Sequence, residues 1–514
     1  MLFARVVDTS RTVAATRSRS TKAAELADLL RQAADEGPRA IELVTSFLSG
    51  VVPHGRLGVG HRTLATRGPA ASAPSLTLAD VDAAFTTLVA VGGEGSTQAR
   101  HDLVDGLFSR ATASEQRFLR GLITGDVRQG ALDGVMQLAV AEAADVPVAV
   151  VRRAAMFTGR LAPVSVAALT EGSEALTAIG LQVLRPIAPM LAAASPTLAE
   201  ALVADPPGWS VECKYDGIRI QAHKRDTDVR IFTRSLDDIT QRLPEVVEVI
   251  AALPANALVV DGEAIALRPD GRPQPFQITG ARTASSRDPE HLRRETPLTT
   301  ILFDLLHLDG HTLLDQPLAE RRALLGWLVE PGNLVPSVQT GDLGAAEEFN
   351  ARMLAGGHEG VVVKQLSAAY SAGRRGAGWI KVKPRHSLDL VVLAVERGSG
   401  RRRGTLSNIH LGARDPGSPT GWAMLGKTFK GMTDAMLAWQ TERFSELAVA
   451  DDGWVVTVRP EQVVEIACDG LQRSSRYPAG VALRFARVVR YRDDKTAADA
   501  DTLETVRALW PEPK

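Results

Sequence analysis

Two prolines three residues apart, in Arg185-Pro186-Ile187-Ala188-Pro189-Met190, constrain this chain more than any other single feature. Proline fixes its own φ, donates no backbone N–H and pushes the residue before it out of the helical region, so no helix runs through this segment. The sequence differs in kind on its two sides. Before it, Ala- and Leu-rich segments at 23–34, 80–91 and 135–144 carry apolar residues at helical spacing. Beyond it, from Trp209, strand-like alternation takes over at 230–233, 257–267, 299–308 and 360–364, with helices predicted at 318–328 and 345–354. A second change falls near Lys383-Pro384-Arg385-His386-Ser387. After it come short, evenly spaced strands at 388–395, 405–411, 422–428, 454–458 and 463–467, the pattern of a small barrel. A chain of 514 residues has room for about three domains. The expected partition is 1–183 all-α, 184–384 α+β and 385–514 β-barrel.

Composition narrows the function classes. A net charge of −1 argues against a uniformly basic nucleic-acid coat and leaves room for local basic patches. Only ten of the cations are lysines, so each lysine carries more information than an arginine. No apolar run reaches the length of a membrane span, and the N-terminus lacks a signal-peptide core. Two cysteines, Cys213 and Cys468, frame neither a disulfide scaffold nor a four-cysteine zinc site, and a reducing cytoplasm is the expected compartment. In the first domain, Arg56-Leu57-Gly58-Val59-Gly60 and 125–130 are glycine-rich loops carrying a cation, where backbone N–H groups could approach a phosphate closely. The segment 69–74 reads as a mobile Pro/Ala/Ser loop.

The chemistry concentrates in the middle third. Glu212-Cys213-Lys214-Tyr215-Asp216-Gly217-Ile218-Arg219 follows a Pro-Pro-Gly break and reads as a strand end carrying a lysine, a turn, and a second strand. A lysine so placed is a candidate nucleophile, although alone it is better read as a surface residue before a turn. Later stretches change that balance. Asp261-Gly262-Glu263 and Glu359-Gly360 deliver carboxylates from apolar strands, and buried carboxylates need a cation. Such a pair suits magnesium, which takes few protein oxygens. Trp379-Ile380-Lys381-Val382-Lys383 places two lysines on one strand face, where an anion such as a triphosphate would relieve their repulsion. Phe303, on an apolar strand, could stack on a base. Arg234, just past a strand, could reach a ribose or phosphate. The basic tail around Arg484, Arg487, Arg490, Arg492 and Lys495 could clamp a phosphate backbone or a pyrophosphate. One match is a decoy. Gly421-Trp422-Ala423-Met424-Leu425-Gly426-Lys427-Thr428 fits the Walker A letters, but its bulky apolar interior reads as a strand, and no phosphate role is assigned to it.

Taken together and in order, these stretches resemble the motif series of the covalent nucleotidyltransferases, and within that superfamily the ATP-dependent DNA ligases. The carriers are Lys214-Tyr215-Asp216-Gly217, Arg234, Glu263, Phe303-Asp304, Glu359-Gly360-Val361-Val362-Val363-Lys364, Trp379 to Lys383, and Arg492-Asp493-Asp494-Lys495. Glu212 and Leu483-Arg484-Phe485-Ala486-Arg487 are the ligase-like details. The resemblance implies a helical DNA-binding domain, a nucleotidyltransferase (adenylation) domain and an OB-fold domain closing as a monomer around nicked duplex DNA, in the cytoplasm and, in a bacterium, at the nucleoid. It implies ATP and Mg2+, with Mn2+ as a substitute. By that resemblance Lys214 would form a Lys214–AMP phosphoramidate, pass AMP to the 5′-phosphate of a nick, and leave the 3′-hydroxyl to displace it. Neutral amine attacks and ammonium does not, and free lysine has a pKa of about 10.4, so cations such as Arg219, Lys381 and Lys383 would help to discharge it. Glu263 and Glu359 would hold the metal, Phe303 would stack on adenine, and Glu212 would accept its amino group. Arg219 and Arg234 would hold ribose or phosphate, and Arg492 and Lys495 would visit the site for the first step by a hinge at 383–387.

Rival readings remain: an RNA ligase, an mRNA-capping guanylyltransferase, or a non-catalytic nucleic-acid clamp. The long helical first domain favours a DNA ligase over the first two.

Overall fold

The computed structural model describes residues 1–65, 69–127, 129, 133–202, 208–285, 287–371, 375–384, 386–399 and 402–509. Pro206 and Pro207 of the break before Gly208, Arg128 and Gly130 of the second glycine loop, and Arg385 of the second boundary lie outside the described residues.

The N-terminal part is helical, from Phe3–Ala15 to Ser173–Ala178, and the segments read as helices are seated in Arg19–Asp35, Leu78–Ala90 and Asp133–Ala143. Their starts are set by local chemistry: Thr77 with Asp80, and Thr112 with Glu115, form capping boxes that satisfy orphan N–H groups. Phe3, Phe47 and Phe85, fully buried, meet edge to face at the centre of the core. Among the described residues no helix is long and apolar enough to cross a membrane.

The proline segment is extended, as its sequence requires. It is strapped to the next domain by side chains: Leu184 N–H donates to His223 Nδ1 at 3.1 Å, and Ile187 N–H to Gln221 Oε1 at 2.8 Å.

Among the described residues the central part carries ten strands: β1 Leu191–Ser195, β2 Trp209–Cys213, β3 Ile218–Arg225, β4 Asp228–Thr233, β5 Ala257–Ala266, β6 Leu298–Leu308, β7 His311–Thr312, β8 Ser337–Thr340, β9 Val361–Gln365 and β10 Arg375–Val382. They form two five-stranded sheets, ordered β1-β10-β9-β2-β8 and β4-β3-β5-β6-β7. β2 and β3 therefore belong to different sheets, and the turn 214–217 crosses the seam between them. Gly217 is required there, because a Cβ would come within 2.5 Å of the Ala264 carbonyl oxygen. The helix Leu318–Leu328 has the expected bounds, and Leu343–Ala355 exceeds its expected length slightly. Helices Phe276–Ala284 and Pro289–Glu295 were not expected from the sequence.

Lys381 lies within β10 and Lys383 one residue past its end, and both line one cavity together with Asp469 and Phe485. Pro384 ends the strand there, since it has no N–H for the ladder and restricts the residue before it.

The C-terminal part is strand-rich: β11 His386–Arg397, β12 Leu406–Arg414, β13 Trp422–Thr428, β14 Ala448–Asp451, β15 Val455–Val458, β16 Val463–Cys468, β17 Gly470–Arg473, β18 Val481–Arg484 and β19 Arg487–Tyr491. The long β11 pairs with β12, β15 and β16, and β16 with β19; β17 and β18 form a separate hairpin. Helix Asp434–Glu446, capped by Thr433 and not expected from the sequence, packs against β12. The Walker-like letters are strand β13, and Lys427 pairs with Glu396.

Candidate active site

Lys214 follows the last residue of β2, at the seam. Its backbone is fixed by two hydrogen bonds: its N–H donates to Gly360 O at 2.9 Å, and Glu359 N–H donates to its carbonyl at 3.2 Å. Gly360 has φ +132°, and a Cβ there would collide with the Val382 carbonyl, so only glycine lets β9 begin this close to the end of β10. The result is that the Lys214 amine meets the Glu359 carboxylate in an ion pair.

Lys214 lines a cavity of about 240 Å³ between the two sheets. From one sheet come Glu212, Lys364, Trp379 and Lys381; from the other, Arg219, Glu263 and Phe303, with Arg234 just past β4. Phe303 and Trp379 meet edge to face at 5.9 Å and form an aromatic wall. Arg219 lies 5.5 Å from both ring centroids, and Lys364 at 4.5 and 4.2 Å. A second cavity, of about 640 Å³, shares Lys214, Arg219, Arg234 and Glu263 with the first and extends past Asp216 and Arg242. Small-ligand pockets usually run about 300–1,000 Å³, so the first cavity suits a base and sugar, and the two together a nucleotide with its phosphates.

The charges are matched unevenly. Asp261, fully buried, accepts from Arg219 at 2.6 Å and from the Tyr370 hydroxyl at 2.6 Å, so it is a structural anion. Arg219 also donates to the Met190 carbonyl at 2.6 Å, tying the proline segment to the cavity wall. Burial opposes charge on Glu359, but Lys214 and Lys383 outweigh it and hold the carboxyl below its usual range. Lys383 donates to Glu359 at 3.0 Å and pairs with Asp469 of the C-terminal part. Glu263 is different. Burial pushes its carboxyl up to about 7, against the pull of Lys214 and Arg219. Such a carboxyl gains from a divalent cation beside it. Two hard oxygen donors fit magnesium, with water and phosphate oxygens completing the shell. Among the described residues no cluster of three metal-ligating side chains stands ready-made.

The structure thus brings Lys214, Glu212, Arg219, Arg234, Glu263, Phe303 and Lys381 to one cavity, with Glu359 and Lys383 joined to it through Lys214. Arg492 and Lys495 stand apart from it. Both pair with Asp389 on β11, Arg492 at 3.1 Å, and Arg492 also with Asp494 at 2.7 Å. The C-terminal part instead turns Arg484 to the site, where it donates to Asp216 at 2.7 Å. The sequence reading gave no role to Trp379, Tyr370, Lys364 or Arg322. Lys364 closes a motif that was read for its glutamate. Arg322, in a helix 110 residues from its partner Glu212, left no local signal.

The Arg484–Asp216 pair joins two domains and is partly exposed, so it contributes about 0.2–1 kcal/mol. Arg484→Glu is expected to loosen the C-terminal part and raise the radius of gyration in small-angle scattering. The double variant Arg484→Glu, Asp216→Arg is expected to reverse that change. An unchanged radius in the single variant would show that the pair does not hold the domains.

Comparison with known proteins agrees with this geometry. Residues 189–383 match the family described as ATP dependent DNA ligase domain, 402–495 the ATP dependent DNA ligase C terminal region, and 58–141 the DNA ligase N terminus. The chain is 57% identical to a probable DNA ligase of Nocardioides sp., over 99% of both chains. It is 56% identical to a probable DNA ligase of Beutenbergia cavernae, again over 99% of both. The solved structure named Pmar-Lig_Pre. shares the fold, with a TM-score of 0.65, 18% identity, and coverage of 95% of this chain and 99% of that one. With its helical, adenylation and strand-rich parts in this order, the chain belongs to the ATP-dependent DNA ligase family.

Proposed function

We propose that this ligase seals 5′-phosphate/3′-hydroxyl nicks in duplex DNA through a Lys214–AMP intermediate and a DNA-adenylate. The observation that carries the reading is the lysine amine on the same cavity as an aromatic wall and a buried carboxylate acceptor, Glu212. In the first step the Lys214 nitrogen bonds to the α-phosphorus of ATP, the bond to the bridging oxygen breaks, and pyrophosphate leaves. The amine needs its lone pair, so the proton it shares with Glu359 departs to that carboxylate or to solvent. The adenylate then passes to the 5′-phosphate, and the 3′-hydroxyl displaces AMP. Phe303 and Trp379 cover the base, Glu212 accepts its amino group, and Arg219, Arg234, Lys381 and Lys383 hold sugar and phosphates. Glu263 and Glu359 would hold Mg2+, which neutralises charge building on the phosphate.

We assign 1–183 to DNA binding, 184–384 to adenylation and 385–514 to an OB-fold barrel. Arg492 and Lys495, now neutralised on Asp389, would reach the pyrophosphate only when the barrel turns about 383–387; with Arg484 on Asp216 the chain is set for the later steps. The test is single-nick sealing with matched DNA and RNA duplexes. Sealing of the DNA nick with AMP released is the expected result; sealing confined to RNA would move the chain to an RNA ligase.

Glu263 makes the metal dependence pH-sensitive. Below about 7 its carboxyl holds a proton and offers a metal no charge; above it the carboxylate forms. The Mg2+ concentration for half-maximal adduct is therefore expected to fall as pH rises from about 6 to about 8, and Glu263→Gln to flatten that slope. Stability runs the other way. A free glutamate titrates near about 4.3, so between there and about 7 the folded chain holds a proton that the unfolded chain lacks, and stability falls as pH rises through that window.

A further inference from the structure

Glu212 sits in the nucleotide cavity under unusual restraint. It is 1% exposed, and its carboxylate is held from three sides. Oε1 accepts from Ser210 Oγ at 3.0 Å and from Arg322 Nη1 at 3.0 Å, while Oε2 pairs with Lys364 Nζ at 2.6 Å. A carboxylate has about four acceptor positions, so one is left on Oε2. Arg322 is itself locked. It is 7% exposed, and its second nitrogen donates to the Val335 carbonyl at 3.1 Å and to Ser337 Oγ at 2.5 Å. Ser210 and Arg322 on Oε1 and Lys364 on Oε2 hold both carboxylate oxygens and keep the group from turning.

We propose that Arg322 is a specificity-positioning residue, which fixes Glu212 as a one-acceptor reader of a purine 6-amino group and so sets the preference for ATP over GTP. This rests on the adenylation reading above. The 6-amino group of adenine offers an N–H to the remaining lone pair. The 6-oxo group of guanine brings a lone pair against it, and the mismatch leaves a buried acceptor unpaired. When Arg322 is replaced, Oε1 loses its guanidinium donor and keeps only Ser210 Oγ, the carboxylate can rotate, and the reader loses its register.

The test compares ATP, GTP and purine riboside triphosphate, which lacks the 6-amino group. Two readouts are used: adduct formation at Lys214 by mass spectrometry, and equilibrium binding by calorimetry in the Lys214→Ala background, where no chemistry intervenes. Wild type is expected to favour ATP over both analogues by at least about 10-fold. In Arg322→Met that ratio is expected to shrink several-fold in both readouts, with GTP and the analogue losing less than ATP; Arg322→Lys, keeping one charged donor, is expected to fall between. A merely structural role would weaken all three nucleotides alike, and an unchanged ratio in a variant that still forms the adduct overturns the proposal. Should Arg322→Met not fold, Ser210→Ala and the wild-type comparison still decide, since a wild type indifferent to the 6-amino group also overturns it. A wild type forming no adduct with ATP at all sinks the adenylation reading itself, a distinct result.

Discussion

Lys214→Ala is expected to abolish the protein–AMP adduct and to lower ATP-dependent nick sealing by at least about 10⁴-fold, the scale on which loss of a covalent nucleophile acts. Loss of folding would not account for this. The hydrogen bonds that hold the position run through the Lys214 backbone, to Gly360 O and from Glu359 N–H, and alanine keeps both. The side chain is partly exposed at a cavity wall, so its removal leaves no sealed void. A second measurement locates the loss. A nick already carrying a 5′-adenylate needs no lysine nucleophile, so the variant is expected to retain a substantial part of the wild-type rate on that substrate. Equal loss on both substrates would mean that Lys214 serves the site by charge and not by bonding to phosphorus. Detection of the adenylate on another side chain, such as Lys364 or Lys381, would remove the mechanism altogether.

The positions legible in the sequence are those whose chemistry is local. Lys214 was visible because a strand end, a turn and a glycine sit side by side, and Gly217 and Gly360 prove to be positions where a Cβ has no room. Phe303, Glu263 and Lys381 were visible as unusual residues on apolar strands, and all three line the cavity. What the sequence hides is the pairing of distant charges. Asp261 and Glu263, two residues apart, look alike in the sequence. In the fold Asp261 is consumed by Arg219 and Tyr370, while Glu263 is left with a carboxyl near neutrality. Arg321 and Arg322, adjacent on one helix, reach Asp304 on one sheet and Glu212 on the other. No spacing rule predicts such partners, because sheet order and not chain order brings them together. The C-terminal domain shows the same limit in another form: its strands could be read one by one, but the facing of Arg484, and not Arg492, toward Asp216 is a property of domain placement.

Arg321 carries the second large expectation, and it concerns stability. Its guanidinium is fully buried and grips Asp304, also fully buried, through two parallel bonds of 2.8 and 3.0 Å. Its remaining nitrogen donates to the carbonyls of Gln316 at 2.6 Å and Ala368 at 3.0 Å. Arg321→Met keeps much of the apolar stem but strips the buried Asp304 carboxylate of its cation, leaving it the Leu305 N–H at 2.9 Å, and takes the guanidinium donor from the Gln316 carbonyl, while Ala368 O keeps the Leu318 N–H at 3.0 Å. Breaking a buried pair from one side typically costs about 3–5 kcal/mol, far more than an exposed pair contributes. The central domain is expected to lose about that much in urea unfolding, followed by hydrogen exchange of the β5 and β6 amides. Because Asp304 adjoins Phe303, nucleotide binding is expected to weaken with it. The double variant Asp304→Leu, Arg321→Met separates charge from shape. If the cost is the orphaned carboxylate, replacing both partners by apolar groups should recover most of the stability. A double variant as unstable as the single would instead place the cost in the lost bonds to the Gln316 and Ala368 carbonyls, of which Ala368 keeps the Leu318 N–H, and the ion pair would then be incidental to holding the helix Leu318–Leu328 against β6.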